Sequence, residues 1–240
     1  MNQTINLTAR EWRDLITPVL PFAGRDDMLP VLCAIEVRTD GKWLIATATD
    51  RFRVAMKRIK KFPTDDNKAT EWPEFSALIP IKAVRSIGAM LKPSRGGAHL
   101  AGATFTVEED RLTVEASGLF DLFDAARFTH HLETAEFPKV ASLFAKALAV
   151  PDEARSSRTA LNPRFLADFN ACGSVVLRFL APDASNPKSP MILTDDEGFM
   201  GLLMPRSTEL PVESWDDVLA PKPDVAVKPA RKSRAKKAVA

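Results

Sequence analysis

The residues with the most chemical potential are Thr49, Asp50, Arg51 and Arg53, within the stretch "LIATATDRFRVAMKRI" (44–59). A Thr-Asp pair and two arginines there interrupt an apolar, β-branched run. An Asp at such a bend accepts backbone N–H bonds and makes a turn with no catalysis at all. The same polar rim beside apolar strands also suits a binding site. Residues of the enzymatic kind do not converge anywhere. His130 and His131 are neighbours in an extended segment, so they point to opposite faces. HExxH, GxSxG and phosphate-loop glycine motifs are absent. Asp195-Asp196-Glu197 in "TDDEGF" reads as a hairpin turn rather than a divalent-cation site. Cys33 and Cys172 lie far apart among apolar neighbours, which argues against a structural zinc or a disulfide scaffold. The sequence therefore predicts a noncatalytic protein that needs no cofactor or metal.

Cations at helical spacing form the second group. In "PIKAVRSIGAMLK", Lys82, Arg85 and Lys92 fall within one arc, with Val84, Ile87 and Leu91 opposite. One face can pack on a sheet while the other meets phosphates, although such faces are also ordinary solvated surface. Arg10 and Arg13 in "TAREWRDLITPVL" and Arg164 in "NPRFLADFNAC" are further candidates. The first two share their helix with Glu11 and Asp14, which weakens their attraction for a polyanion. Towards the end, Arg231, Lys232, Arg234, Lys236 and Lys237 form a cluster suited to nonspecific, salt-sensitive DNA contact, or to keeping the chain soluble.

These residues need elements to position them. "INL" reads as a strand, followed by a helix whose cap is Thr8 with Glu11 three residues on, the spacing of a capping box. Trp12, Leu15, Ile16 and Val19 recur at helical spacing, and Pro18 ends or kinks the helix. Strands "VLCAIEVRT", "KWLIATAT" and "RFRVAMKRI" follow, the first two joined at Asp40-Gly41. The order then repeats: strand "FSALIPI", helix "PIKAVRSIGAMLK", strands "HLAGATFTVEED", "RLTVEAS" and "LFDLFDAARF". A shorter third copy has strand "RTAL", helix "NPRFLADFNAC" capped by Asn162, then strands "VVLRFLA", "PMILTD" and "GFMGLLMP". The pattern predicts an α+β protein of repeated β-α-β-β-β units, a signal for a repetitive architecture.

With 240 residues, 45% of them hydrophobic and 27% charged, the chain can bury a sizeable core. No apolar run is long enough to span a bilayer, and the start lacks a secretion pattern, so the expected location is the cytoplasm. The net charge of +2 conceals a basic, Pro/Ala/Lys-rich tail over 210–240, expected to be disordered. Within it "VESWDDVL" reads either as a short acidic-apolar docking peptide or as a segment whose Trp215 packs on the body.

"LPVLCAIEV", "ATDRFRVA", "LIPIKAVRSIGAML", "AEFPKVASLF" and "LNPRFLADFNACG" to "GFMGLLMPRS", in that order, resemble the bacterial DNA polymerase III β sliding clamp. Residues 1–144 resemble its middle domain, and 145–209 resemble the closing half of its final domain. The first half of that final domain has no counterpart here. The resemblance implies a DNA-clamp fold with helices on one face of curved antiparallel sheets. It implies a replication processivity factor that holds duplex DNA nonspecifically and docks polymerase or repair proteins. It also implies a peptide pocket bordered by Thr49, Arg53 and Val54, facing Met204 and Pro205. Arg51, Phe52 and Arg206 depart from the family's usual residues there. Clamp rings contain roughly twelve half-units closed by symmetry. Four copies of this three-unit chain, or a mixed ring, would supply them. The alternative is a clamp-derived interaction module that does not encircle DNA.

Overall fold

The computed structural model describes residues 2–61, 71–91, 102–117, 126–156 and 159–206, apart from 175, 187 and 196. Met1–Ser207 forms one compact unit. Strand β1 (Gln3–Thr8) runs directly into helix α1 (Ala9–Ile16). The capping box forms as predicted: Glu11 N–H donates to Thr8 Oγ1 at 3.1 Å, and Thr8 N–H donates to Glu11 Oε2 at 2.8 Å. Two orphan amide groups at the helix start are thereby satisfied. The helix buries Trp12, Leu15 and Ile16 of the stripe read from its periodicity, together with Ala9, while Val19, the stripe's fourth residue, is buried beyond the helix end. Three strands follow, β2 (Ala34–Thr39), β3 (Trp43–Thr49) and β4 (Arg53–Lys60). The second unit repeats this order: β5 (Ser76–Pro80), α2 (Ile81–Met90), β6 (Gly102–Glu108), β7 (Arg111–Ser117) and β8 (Ala126–His131).

The two units exchange their first strands. β1 joins a four-stranded sheet β1-β6-β7-β8, and β5 joins β2-β3-β4 in a second sheet. All pairings are antiparallel. The inner faces of both sheets share one core with α1 and α2, including Ile5, Trp12, Phe105, Ile35, Leu44 and Ile87. The four-stranded sheet buries one face and leaves the other free, as the alternation in β6 shows.

After the second unit comes α3 (Ala141–Leu148), then α4 (Pro163–Ala167), which tightens into a 3₁₀ segment (Asp168–Cys172). Strands β9 (Arg178–Leu180), β10 (Met191–Thr194) and β11 (Phe199–Leu203) follow. β11 pairs with β4, so the second sheet has seven strands in the order β5-β2-β3-β4-β11-β10-β9. Phe169 anchors the 3₁₀ segment, meeting Phe22 edge-on at 4.8 Å and lying against Gly201, where any Cβ would collide with its ring. Asn162 caps α4 as expected, accepting from Arg164 N–H at 3.0 Å.

The α+β architecture with antiparallel sheets is as read from the sequence. The third unit corrects it in detail. Thr159–Leu161, read as part of a strand, lie outside any strand, and Ala160 instead accepts one bond from Arg206 N–H at 2.8 Å. "VVLRFLA" contributes only Arg178–Leu180. An isolated segment without a sheet partner gains nothing from β-propensity, which is expressed only through cross-strand neighbours. Helix α3 is the further addition. It packs Phe144 and Ala147, with Val140, onto the face of the seven-stranded sheet away from α1 and α2, against Val54, Ile192 and Leu202.

Candidate functional site

The bend between β3 and β4 is both a tight turn and the wall of a groove. Thr49 Oγ1 donates to the Arg53 carbonyl at 2.7 Å. Asp50 Oδ1 accepts from the N–H groups of Phe52 and Arg53 at 3.0 and 2.9 Å, closing the turn as its residue type suggested. Arg51 takes φ 77° in this turn, the left-handed region that a side chain with a Cβ enters at a cost of about 1–2 kcal/mol.

Arg53 is 6% exposed, and its guanidinium is fully engaged. It forks onto Asp50 Oδ2 through Nε at 3.0 Å and Nη2 at 2.7 Å, donates to Asp168 through Nη1, and reaches the Pro21 carbonyl at 3.3 Å. The rings of Phe22 and Phe165 flank it, 5.2 and 4.4 Å from the guanidinium carbon. Phe165 stacks in turn on Phe52 at 5.9 Å. Arg53 is thus less a free rim cation than a clasp between the β3–β4 turn and the segment carrying Asp168.

On the other side of this turn lies a groove of about 450 Å³, within the size range of small-ligand and peptide pockets. Thr49, Arg53, Val54 and Met204 border it, so the structure brings four of the five sequence-predicted pocket residues to one place. Pro205, the fifth, is half-buried and does not line it. The opposite wall was not foreseen. Val140, Leu143 and Ala147 of the α3 region supply it, with Pro190 and Ser189 from the turn before β10. The missed signal was the helical spacing of Val140, Phe144 and Ala147 in "KVASLFAKAL". Asp183 also borders the groove. Bonds from the Ser185 hydroxyl, and then from its backbone N–H, hold the Asp183 carboxyl below its usual range.

Arg155 fixes this wall in place. It donates to the carbonyls of Ala181 and of Val150, just beyond the C-terminus of α3, at 2.7 Å each and reaches Ala147 O in the helix's last turn at 3.4 Å. A cation at that end also meets the negative pole of the helix. Arg155→Met is expected to lower unfolding free energy by about 2 kcal/mol, measured by urea titration, because it strands carbonyls that a charged donor now satisfies.

The cations proposed for DNA fall into separate groups. Lys82 and Arg85 are exposed on α2, and Arg13 and Arg85 border one cleft between α1 and α2. Arg10 is exposed and paired with Asp14 at 3.5 Å. Arg164 is exposed beside a different hollow that also contains Asp26, Asp50 and Asp168. Lys92 and the cluster Arg231, Lys232, Arg234, Lys236 and Lys237 lie outside the described residues, as does "VESWDDVL". Among the described residues no group of His, Cys, Asp and Glu is arranged to hold a metal, and no helix is long and apolar enough to cross a membrane.

Residues 6–139 match the family model for the DNA polymerase III beta subunit, central domain. The beta sliding clamp of Micrococcus luteus is 33% identical over 129 residues, covering 54% of this chain. The chain spans only 36% of that relative's length. The solved sliding clamp of Pseudomonas aeruginosa superposes with TM-score 0.62 at 14% identity, over 86% of this chain and 67% of that one. The beta subunit of Thermotoga maritima gives 0.63 at 13% identity, over 86% and 66%. At those identities the likeness speaks for the fold, while the family match extends over more than half of the chain. This chain belongs to the DNA polymerase III beta subunit family, through that family's central domain.

Proposed function

We propose that the protein works as a noncatalytic sliding-clamp-like factor in DNA replication, docking a short peptide of a polymerase or repair protein in the groove beside Thr49, Val54 and Met204. The observation that carries this reading is the groove itself, apolar at its floor, polar at its rim, and built where three parts of the chain meet. Extended or helical segments with apolar anchors are the usual occupants of such sites. In this reading residues 1–144 are one clamp-type domain, 145–209 the closing half of another, and 210–240 a basic tail. Duplex DNA lies against α1 and α2, held by Arg13, Lys82 and Arg85 without base readout. Retention on DNA would keep a tethered polymerase at high local concentration. Copies of the chain assemble into an oligomer, and the site of action is the cytoplasm.

The DNA half of the proposal has a direct measurement. Lys82→Ala/Arg85→Ala is expected to weaken duplex binding and to reduce the log–log salt slope by about 2, since each phosphate contact contributes about 0.9. An unchanged slope removes this face from the DNA site. The second reading is an interaction module that does not encircle DNA. Solution mass with retention on circular against linearised DNA separates the two. A ring gives a defined oligomer held only on circles, and a module gives no topological preference.

A further inference from the structure

The groove carries cations that the described fold leaves uncompensated. Arg51 in the β3–β4 turn, Lys146 on α3 and Lys188 in the loop between β9 and β10 all border it and are exposed. Among the described residues none of these three side chains takes part in an ion pair. Arg53, the fourth cation on the groove, is neutralised by Asp50 and Asp168. Against the three stands one carboxylate, Asp183, already bonded to Ser185. Between them lie apolar side chains, Val54, Leu143, Leu202 and Met204.

Arg51 supplies an independent observation. Its φ of 77° is a conformation that glycine adopts without penalty and arginine does not. Residues held in such conformations gather where a ligand is bound. Here the strained backbone sets a guanidinium at the groove's rim, which Arg51 shares with the hollow holding Asp26, Asp50 and Asp168, and among the described residues it forms no ion pair with any of them.

We propose that the groove selects short apolar peptides that carry carboxylates beside their apolar anchors, with Arg51, Lys146 and Lys188 as the specificity-determining residues. This rests on the peptide-docking reading above and adds the chemical class of the ligand. The three cations come from separate parts of the chain, so a peptide crossing the groove meets positive charge on more than one side. A neutral peptide fills the same apolar floor without those contacts, and a basic one meets like charge.

The test uses the full chain and two fluorescein-labelled hexapeptides, Glu-Leu-Asp-Phe-Asp-Val and its amide counterpart Gln-Leu-Asn-Phe-Asn-Val, followed by anisotropy. The acidic peptide is expected to bind about tenfold tighter at about 50 mM salt, with the gap closing to about twofold at about 500 mM as the charges are screened. Lys146→Glu/Lys188→Glu is expected to abolish the preference. Arg51→Gly is expected to weaken the acidic peptide about threefold while raising the melting temperature by about 3 °C, since glycine relieves the turn. That combination rules out misfolding as the cause of lost binding. Equal affinity for the two peptides, or a preference unchanged in the variants, overturns the selectivity and leaves peptide docking standing. Failure of both peptides to bind the unaltered chain overturns docking itself, and the selectivity with it.

Discussion

Lys57→Met is expected to cost about 3–5 kcal/mol of stability, the largest effect of any single change considered for this protein. Lys57 lies in β4 with its side chain 8% exposed, and it faces Asp195, whose side chain is fully buried, at 3.7 Å. Lys57 Nζ also donates to the Glu197 carbonyl at 2.8 Å. Asp195 Oδ1 is occupied by the N–H groups of Glu197 and Phe199, at 2.8 and 2.7 Å, so it shapes the β10–β11 turn. Among the described residues its other oxygen has no hydrogen-bond partner. Removing the lysine would leave a buried carboxylate facing methionine, and breaking one side of a buried pair is far costlier than never having had the pair. Asp195→Asn on the Lys57→Met background removes the stranded charge and keeps the acceptor for both N–H groups. It is expected to recover about 2 kcal/mol, and urea titration of the four proteins gives the coupling energy directly. If the double variant is no more stable than Lys57→Met, the buried charge is not the source of the loss.

Arg53→Met is expected to cost about 3 kcal/mol and to weaken peptide binding at the groove by tenfold or more. The methionine retains packing between Phe22 and Phe165 but leaves Asp50 and Asp168 without their cation. Asp50 and Asp168 are both more exposed than the fully buried Asp195, so the loss is expected to be smaller than that at Lys57. The consequence for binding is indirect. Arg53 holds the turn that sets Thr49, Arg51 and Phe52, and Met204 hangs from that turn through its N–H to the Phe52 carbonyl at 3.0 Å. Arg53→Lys restores charge without the planar fork and is expected to recover only part of the stability. Wild-type peptide affinity in Arg53→Met, measured by the same anisotropy assay, would show that the clasp does not position the groove.

The two effects have one origin. Arg53 and Lys57 lie four residues apart on one face of β4, because alternate residues of a strand share a face. Each meets a carboxylate from the C-terminal part of the chain, Asp168 and Asp195. β4 therefore receives that part through two ion pairs as well as through its strand pairing with β11.

Much of this was legible in the amino-acid order. The Thr8–Glu11 capping box, the Asp40-Gly41 hairpin, the Asn162 cap and the Asp195 turn are local devices whose partners lie within a few residues, so spacing alone reveals them. The apolar stripes of α1 and α2 follow from helical periodicity. The resemblance carried by "ATDRFRVA" and "GFMGLLMP" singles out Thr49, Val54 and Met204. Three things depended on the tertiary structure. β4 takes β11 as its next neighbour, a choice between residues about 150 apart that no local pattern encodes. Arg53 spends its charge on Asp50 and Asp168, leaving Arg51, Lys146 and Lys188 as the groove's open cations. Helix α3 closes the groove from the far side of the sheet. Local bonds and periodicity are properties of a short window, whereas pairing of distant strands and neutralisation of a buried charge exist only once the chain has closed on itself.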